Sequence, residues 1–248
     1  MKNNNVYTGN CVYLMSKVPN DTVDLTITSP PYDNLRKYNG YKFPFECIAN
    51  ELYRITSDGG IVVWVVNDAT IKGSETGSSF KQALYFMECG FNLNDTMIWR
   101  KTNPMPQVRQ PRYAAEFEYM FVFSKGKPRV FNPIMVPTKC GGKKYESTAR
   151  VASTDHDRKE LNYVVNKEKV KGAIWDLAIS QNKTKHPAVF PLELAKDHVK
   201  SWSNEGDLVF DPMCGSGTTL LAAKDLGRNY LGFDVSEEYV EISKNRLK

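Results

Sequence analysis

Leu208-Val209-Phe210-Asp211-Pro212-Met213-Cys214-Gly215-Ser216-Gly217-Thr218-Thr219 reads as a short buried strand, a tight glycine turn and the start of a helix. Gly215 and Gly217 carry no Cβ, so the backbone there can turn sharply and come close to a ligand. Ser216 or Thr218 is expected to cap the helix. Helical spacing runs over residues 218–226, and the apolar strand that follows, 230–234, ends in Asp234. A carboxylate at that strand end is placed to accept hydrogen bonds from ribose hydroxyls. Strand, glycine turn, helix, strand and acid in this order point to a cofactor that contains a nucleoside. A nicotinamide site calls for a third glycine, and Leu220 stands there. Asp211, ahead of the glycines, suits a cationic cofactor with a free amino group better than a pyrophosphate. S-adenosylmethionine fits that description.

Outward from this stretch, strands and helices alternate. Strands are expected at residues 6–10, 23–28 and 61–66, and helices at 11–17, 45–55 and 79–89. Residues 95–100 and 118–123 look like an antiparallel pair closing one edge of the sheet, and Gly59-Gly60 is expected to separate the helix at 45–55 from the strand at 61–66. A helix at 190–202 and a helix at 237–247 complete the pattern. Alternation of this kind implies an α/β fold with a doubly wound, mostly parallel sheet. Ligands of such sheets bind beyond the carboxyl ends of strands where the strand order reverses. The turns after residues 28 and 211 must then line one crevice.

The turn after residue 28 is Ser29-Pro30-Pro31-Tyr32. Two prolines remove two backbone donors and hold the chain extended. Carbonyls beside Ser29 are left to accept hydrogen bonds, and an aromatic ring follows at once. Such a corner suits a planar amine such as the exocyclic NH2 of a nucleobase. Tyr38, Tyr41, Phe43 and Phe45 follow, either to close over a base or to pack as a small lid.

The 248 residues carry a formal net charge of +5, unevenly spread. Residues 100–172 hold 16 of the 33 Lys and Arg but only 7 of the 28 Asp and Glu, so the remainder is net acidic. A focused basic segment marks a partner that is a polyanion. No run of about 18 apolar residues is present, so no membrane span is expected. The polar residues 1–5 argue against a signal peptide. The five cysteines and three histidines show no zinc spacing, so no metal is expected. Reduced cysteines then point to a cytoplasmic protein.

The Ser-Pro-Pro-Tyr corner and the glycine turn, in this order, resemble the β group of amino-methylating, S-adenosylmethionine-dependent DNA methyltransferases. Lys185-His186-Pro187-Ala188, leading to Phe190-Pro191, and Glu116-Phe117-Glu118-Tyr119 through Ser124-Lys125-Gly126 are similar to further segments of that family. The resemblance implies a methyltransferase-type sheet, circularly permuted, with an inserted basic target-recognition region. Residues 1–125 would be the catalytic half, 126–172 the target-recognition insertion, and 173–248 the cofactor-binding half. It implies catalytic roles for Ser29, Pro30, Pro31 and Tyr32. The cofactor would be held by Asn10, Asp211, Met213, Cys214, Gly215, Ser216, Gly217, Thr218 and Asp234. Asn10 departs from the acid many members have there. Arg109, Arg112, Lys143 and Lys144 are candidates for contact with DNA.

Ser29 and the Pro30 carbonyl would accept the two amine protons and aim the nitrogen lone pair at the methyl group. Tyr32 would stack on a base taken out of the duplex. No covalent enzyme intermediate is needed, so Cys214 is read as packing. Ser in the first position leans toward cytosine-N4, with adenine-N6 the alternative. An RNA or protein amide methyltransferase, or a silent DNA-binding subunit, are the competing classes. Expected partners are double-stranded DNA, a second copy of the chain as a homodimer, and a cognate restriction endonuclease of the same system.

Overall fold

The computed structural model describes residues 1–31, 43–104, 111–150, 158–179 and 190–248. The chain forms two compact units, one of residues 1–132 with 173–248 and one of 133–172.

In chain order the first unit contains β1 (Asn5–Thr8), α1 (Cys11–Met15), β2 (Val23–Thr28), α2 (Phe45–Ile55) and β3 (Thr56–Val66). A small hairpin, β4 (Thr70–Ile71) and β5 (Ser74–Glu75), precedes α3 (Ser78–Glu88), β6 (Asn92–Lys101) and β7 (Phe117–Ser124). The second unit supplies β8 (Met135–Pro137), β9 (Lys144–Arg150), β10 (Arg158–Val164) and β11 (Glu168–Val170). The first unit then resumes with β12 (Ile174–Leu177), α4 (Leu192–Trp202), β13 (Leu208–Asp211), α5 (Thr218–Asp225), β14 (Asn229–Asp234) and α6 (Glu237–Arg246).

Eight strands make one sheet in the order β1-β14-β13-β2-β3-β7-β6-β12. Every pairing is parallel except those of β7, which runs against both β3 and β6. The alternation of strands and helices thus yields the mostly parallel sheet expected from it. Two local expectations need correction. Residues 95–100 and 118–123 do pair antiparallel, but they do not close the edge. Ile174–Leu177 adds parallel to β6 as the outermost strand, fastened by Trp99 Nε1 donating to the Leu177 carbonyl at 3.0 Å. Four residues are too few to show a period, which hides this strand in the sequence. Gly59-Gly60 does not interrupt the path into β3 but lies inside that strand. There Gly59 has φ 73°, and a Cβ on it would lie 2.8 Å from Arg129 Cβ and 2.9 Å from the Lys127 carbonyl. The register against β2 slips at the same place, between Val23 and Leu25, so the glycines make a bulge.

Period-2 alternation sends Val62, Trp64 and Val66 of β3 to the same core as Phe121 and Phe123 of β7 and Phe210 of β13. The apolar stripe of α2, Ile48, Leu52 and Ile55, covers that face with Phe86 of α3. Phe86 stacks on Phe123 at 4.7 Å and meets Trp64 edge-on at 5.0 Å. Each such fully buried side chain stabilises the fold by about 1.5–3 kcal/mol relative to exposure. Trp64 Nε1 finds Gln82 Oε1 at 2.8 Å, so its burial strands no donor. Phe45 packs into this core against Trp64 and Phe86, with Phe43 beside it. Of the two roles open to Phe45, packing is the one observed. Tyr38 and Tyr41 lie outside the described residues.

Val6 of β1, Leu220 of α5, and Val240 and Leu247 at α6 form a separate cluster with Cys214. In the second unit β9 pairs with β10 and β8 with β11, all antiparallel, where the sequence shows no usable period. Tyr145 and Tyr163 face each other across β9 and β10, rings stacked at 5.9 Å. No described helix is long and apolar enough to cross a membrane.

Gly232 on β14 tests how tightly α5 sits on the sheet. A Cβ there would fall inside contact distance of the fully buried Leu220 side chain and 3.1 Å from Cys214 Sγ. Gly232→Ala is expected to destabilise the protein by about 1–3 kcal/mol, seen as a lower urea midpoint with an unchanged slope.

Candidate active site

β2 and β13 come from opposite ends of the chain and lie side by side, Leu25 opposite Val209 and Thr26 opposite Phe210. Both run the same way, so the Ser29-Pro30-Pro31 turn and the Pro212–Gly217 turn leave the sheet at neighbouring carboxyl ends. One buried hydrogen bond ties the two ends directly, Thr28 Oγ1 donating to Asp211 Oδ1 at 2.8 Å. Thr219 Oγ1, from the first turn of α5, donates to the Ile27 carbonyl at 3.1 Å. Pro30 is buried, and Ser29 and Pro31 are half-buried. Tyr32 lies outside the described residues, as do Arg109 and His186.

Asp211 is 2 % exposed. Its Oδ1 also accepts the Met213 N–H at 3.1 Å. Burial pushes this carboxyl up to about 7, against the opposing hydrogen bonds from Thr28, Met213 and Thr219 and with the charge of Asp234 adding to the rise. The same desolvation, with Asp211 and Asp234 nearby, drives the Cys214 thiol well above its ordinary range. A thiol so disfavoured as thiolate is no nucleophile, in keeping with its packing role.

Asp234 ends β14 next to the glycine turn. Its Oδ2 accepts the Gly215 N–H at 2.8 Å and its Oδ1 the Ser236 N–H at 2.9 Å. Asn10 follows β1, whose Thr8 pairs with Asp234. Its side-chain oxygen caps α1 through the N–H groups of Val12 and Tyr13. Asn10, Asp234, the glycine turn and the Ser29 turn therefore sit at successive carboxyl ends of β1, β14, β13 and β2. Burial, with Asp234 adding negative charge, raises the nearby Cys11 thiol to about 11.

The cap of α5 is a correction. Gly217, at φ 78°, occupies the N-cap position, and no side chain caps the helix. Ser216 and Thr218 are engaged elsewhere. Arg246 Nη1, from α6, donates to the Ser216 carbonyl at 2.6 Å, Ser216 Oγ at 3.0 Å and Thr218 Oγ1 at 3.4 Å. A Cβ on Gly217 would collide with Ser243 of α6. The turn is thus clamped from behind by α6. Sequence reasoning missed Arg246 and Thr28. Thr28 looks like one more β-branched strand residue, and nothing local marks Arg246.

An acid at the end of β3 behaves differently. The Asp68 carboxylate accepts Ser79 Oγ at 2.5 Å, Ser79 N at 3.0 Å, Ser78 Oγ at 3.1 Å and Thr76 Oγ1 at 3.2 Å. Partial burial acts to raise its pKa, but these hydrogen bonds outweigh it and hold the carboxyl below its ordinary value. It anchors the start of α3. Of the proposed DNA contacts, Arg112 bonds Thr70 Oγ1 and the Gly73 carbonyl on the β4–β5 hairpin. Lys143 and Lys144 are exposed in the second unit.

The profile of the DNA methylase family, of N6/N4 type, matches residues 23–245. The orphan methyltransferase M.BamHII of Bacillus amyloliquefaciens is 50% identical over 238 residues, covering 92% of this chain and 89% of that protein. The type II methyltransferase M.BglII of Bacillus subtilis is 26% identical, covering 97% and 68%. Among solved structures, the PvuII cytosine-N4-specific DNA methyltransferase shares the fold with a TM-score of 0.74 at 21% identity, over 99% of this chain and 86% of that one. A putative DNA modification methylase of Thermus thermophilus, solved with S-adenosyl-L-methionine, matches with a TM-score of 0.65 at 25% identity, over 98% and 94%.

Asp211 makes stability depend on pH. Its folded value near 7 lies above the ordinary 3.8, so the ligand-free fold holds a proton that the unfolded chain releases. That contribution is complete at pH below 3.8 and is lost as pH rises toward 7. Asp211→Asn keeps an Oδ1 for both Thr28 and Met213 and removes the titration. The variant should lose less stability than the native protein between about pH 4 and 7 in paired thermal melts.

Proposed function

The chain belongs to the N6/N4 DNA methylase family, and from that premise we propose that it methylates an exocyclic base amine of double-stranded DNA, cytosine-N4 ahead of adenine-N6, using S-adenosylmethionine. The observation that supports this reading is the pairing of β2 with β13, which brings the end of the strand before Ser29-Pro30-Pro31 beside Asp211 and the glycine turn. The donor set suits the cofactor. Asp211 and Asp234 are both acids at the turn, matched to a cation and to ribose hydroxyls rather than to a pyrophosphate. When bound, S-adenosylmethionine supplies a methyl group activated by its sulfonium.

The protein's own residues do the rest. A cation seated near Asp211 favours its ionised form, so binding drives a proton off that carboxyl. Ser29 and the Pro30 carbonyl accept the amine protons and turn the nitrogen lone pair toward the methyl group. Pro31 keeps the corner extended. Tyr32, by its place after the prolines, is assigned to the face of an extruded base. Met213, Cys214, Gly215, Ser216, Gly217 and Thr218 would hold the methionine end of the cofactor, and Asn10 would contact its adenine. Ser in place of an acid at position 29 is what favours cytosine-N4.

We read the chain as a permuted methyltransferase because its catalytic corner precedes its cofactor turn. Residues 126–172 are the proposed target-recognition region, and the compact unit within it carries nine Lys and Arg against five Asp and Glu. Arg109, Arg112, Lys143 and Lys144 are proposed to contact DNA. A second copy and a cognate restriction endonuclease are further proposed partners. The names of the relatives, one orphan and one type II, suit a restriction–modification setting. The free cysteines support work in the cytoplasm.

The test is methylation of plasmid DNA by the pure protein, followed by digestion to nucleosides and mass spectrometry. N4-methyldeoxycytidine is the expected product. N6-methyldeoxyadenosine would correct the base, and no modified nucleoside would overturn the activity. Ser29→Ala should keep cofactor binding by calorimetry and lose transfer by about 10²–10³-fold. Unchanged turnover would remove Ser29 from its role.

A further inference from the structure

We propose that the outward face of α3 is a self-docking surface, on which a second copy of the chain lies antiparallel with Lys81 of each copy against Glu88 of the other. This gives a location to the homodimer reading above and rests on it. α3 buries Ser79, Gln82, Ala83 and Phe86 against the core. Its other side is not the charged face such a helix normally shows water. Phe80, Leu84 and Met87, spaced four and three residues apart, are 50%, 60% and 45% exposed. The apolar surface continues onto β7. The Phe80 ring meets Tyr119 edge-on at 5.3 Å, and Tyr119 meets the exposed Phe117 at 5.3 Å.

The charges select the occupant. Lys81 and Glu88 are seven residues apart on α3, so they share one line along its exposed side and are both exposed. Neither forms an ion pair among the described residues. A two-fold axis near Leu84 brings Lys81 of each copy opposite Glu88 of the other, stacks Leu84 on Leu84, and sets Phe80 beside Met87. The pattern is complementary to itself, as an isologous contact requires. DNA would meet Glu88 with repulsion and gain little from three apolar side chains. Three side chains fall short of the roughly 800 Å² per partner of a stable interface, so the Tyr119 and Phe117 surface is included in the contact.

Sedimentation velocity of the full chain at micromolar concentrations tests this. The native protein should be a dimer, and Lys81→Glu should weaken it by about tenfold or more through like-charge contacts. The double reversal Lys81→Glu with Glu88→Lys should restore native association. Both positions are exposed, so the far-ultraviolet circular dichroism of each variant should match that of the native protein. A monomeric native protein, an unaffected Lys81→Glu dimer, or a double variant that stays dissociated would each overturn the proposal. The nucleoside assay separates the two readings: an active monomer removes the docking face alone, and an inactive dimer removes the activity alone.

Discussion

The hydrogen bond from Thr28 to Asp211 joins the last residue of one strand to the last residue of another 183 positions away. It exists only because β2 and β13 pair in parallel at the centre of the sheet. The proposed site depends on that pairing. It puts two turns with different chemistry, one offering acceptors and one holding an acid, at adjacent strand ends. Parallel neighbours point their carboxyl ends the same way, so both turns open to the same side.

The acids in this region show how local solvation divides roles among identical groups. Asp68 is held ionised by four hydrogen bonds and anchors a helix. Asp211 has fewer donors and is almost fully buried, and burial lifts it toward neutrality. Asp234 spans the glycine turn and the residues after β14 through backbone N–H groups. In the proposed role of Asp211, an arriving cation would itself favour the ionised form of this carboxyl. The glycine turn has no side-chain cap of its own, and its shape is instead maintained by Arg246 and Ser243 of the last helix.

Much of this was readable residue by residue. The strand at Val23–Thr28, the helix at Phe45–Ile55 and the strand–turn–helix around Gly215 carry period and punctuation strong enough to place them. Other parts left no trace. β12 is four residues long, and Gly59-Gly60 looks like an interruption when it is a bulge within a strand. The expected cap at Ser216 or Thr218 failed because Gly217 in a left-handed conformation took the N-cap position and Arg246 took both hydroxyls.

What the amino-acid order determined by itself is chemistry within short reach: an acceptor-rich proline corner, an acid before paired glycines, a basic middle segment, and strands and helices in alternation. These follow from backbone sterics and from side-chain types a few residues apart. Only the tertiary structure decided which strand ends are neighbours, which acid is buried, and that a guanidinium from the final helix braces the glycine turn. Desolvation and parallel pairing are properties of surroundings assembled from distant parts of the chain, and no local pattern of residues encodes them.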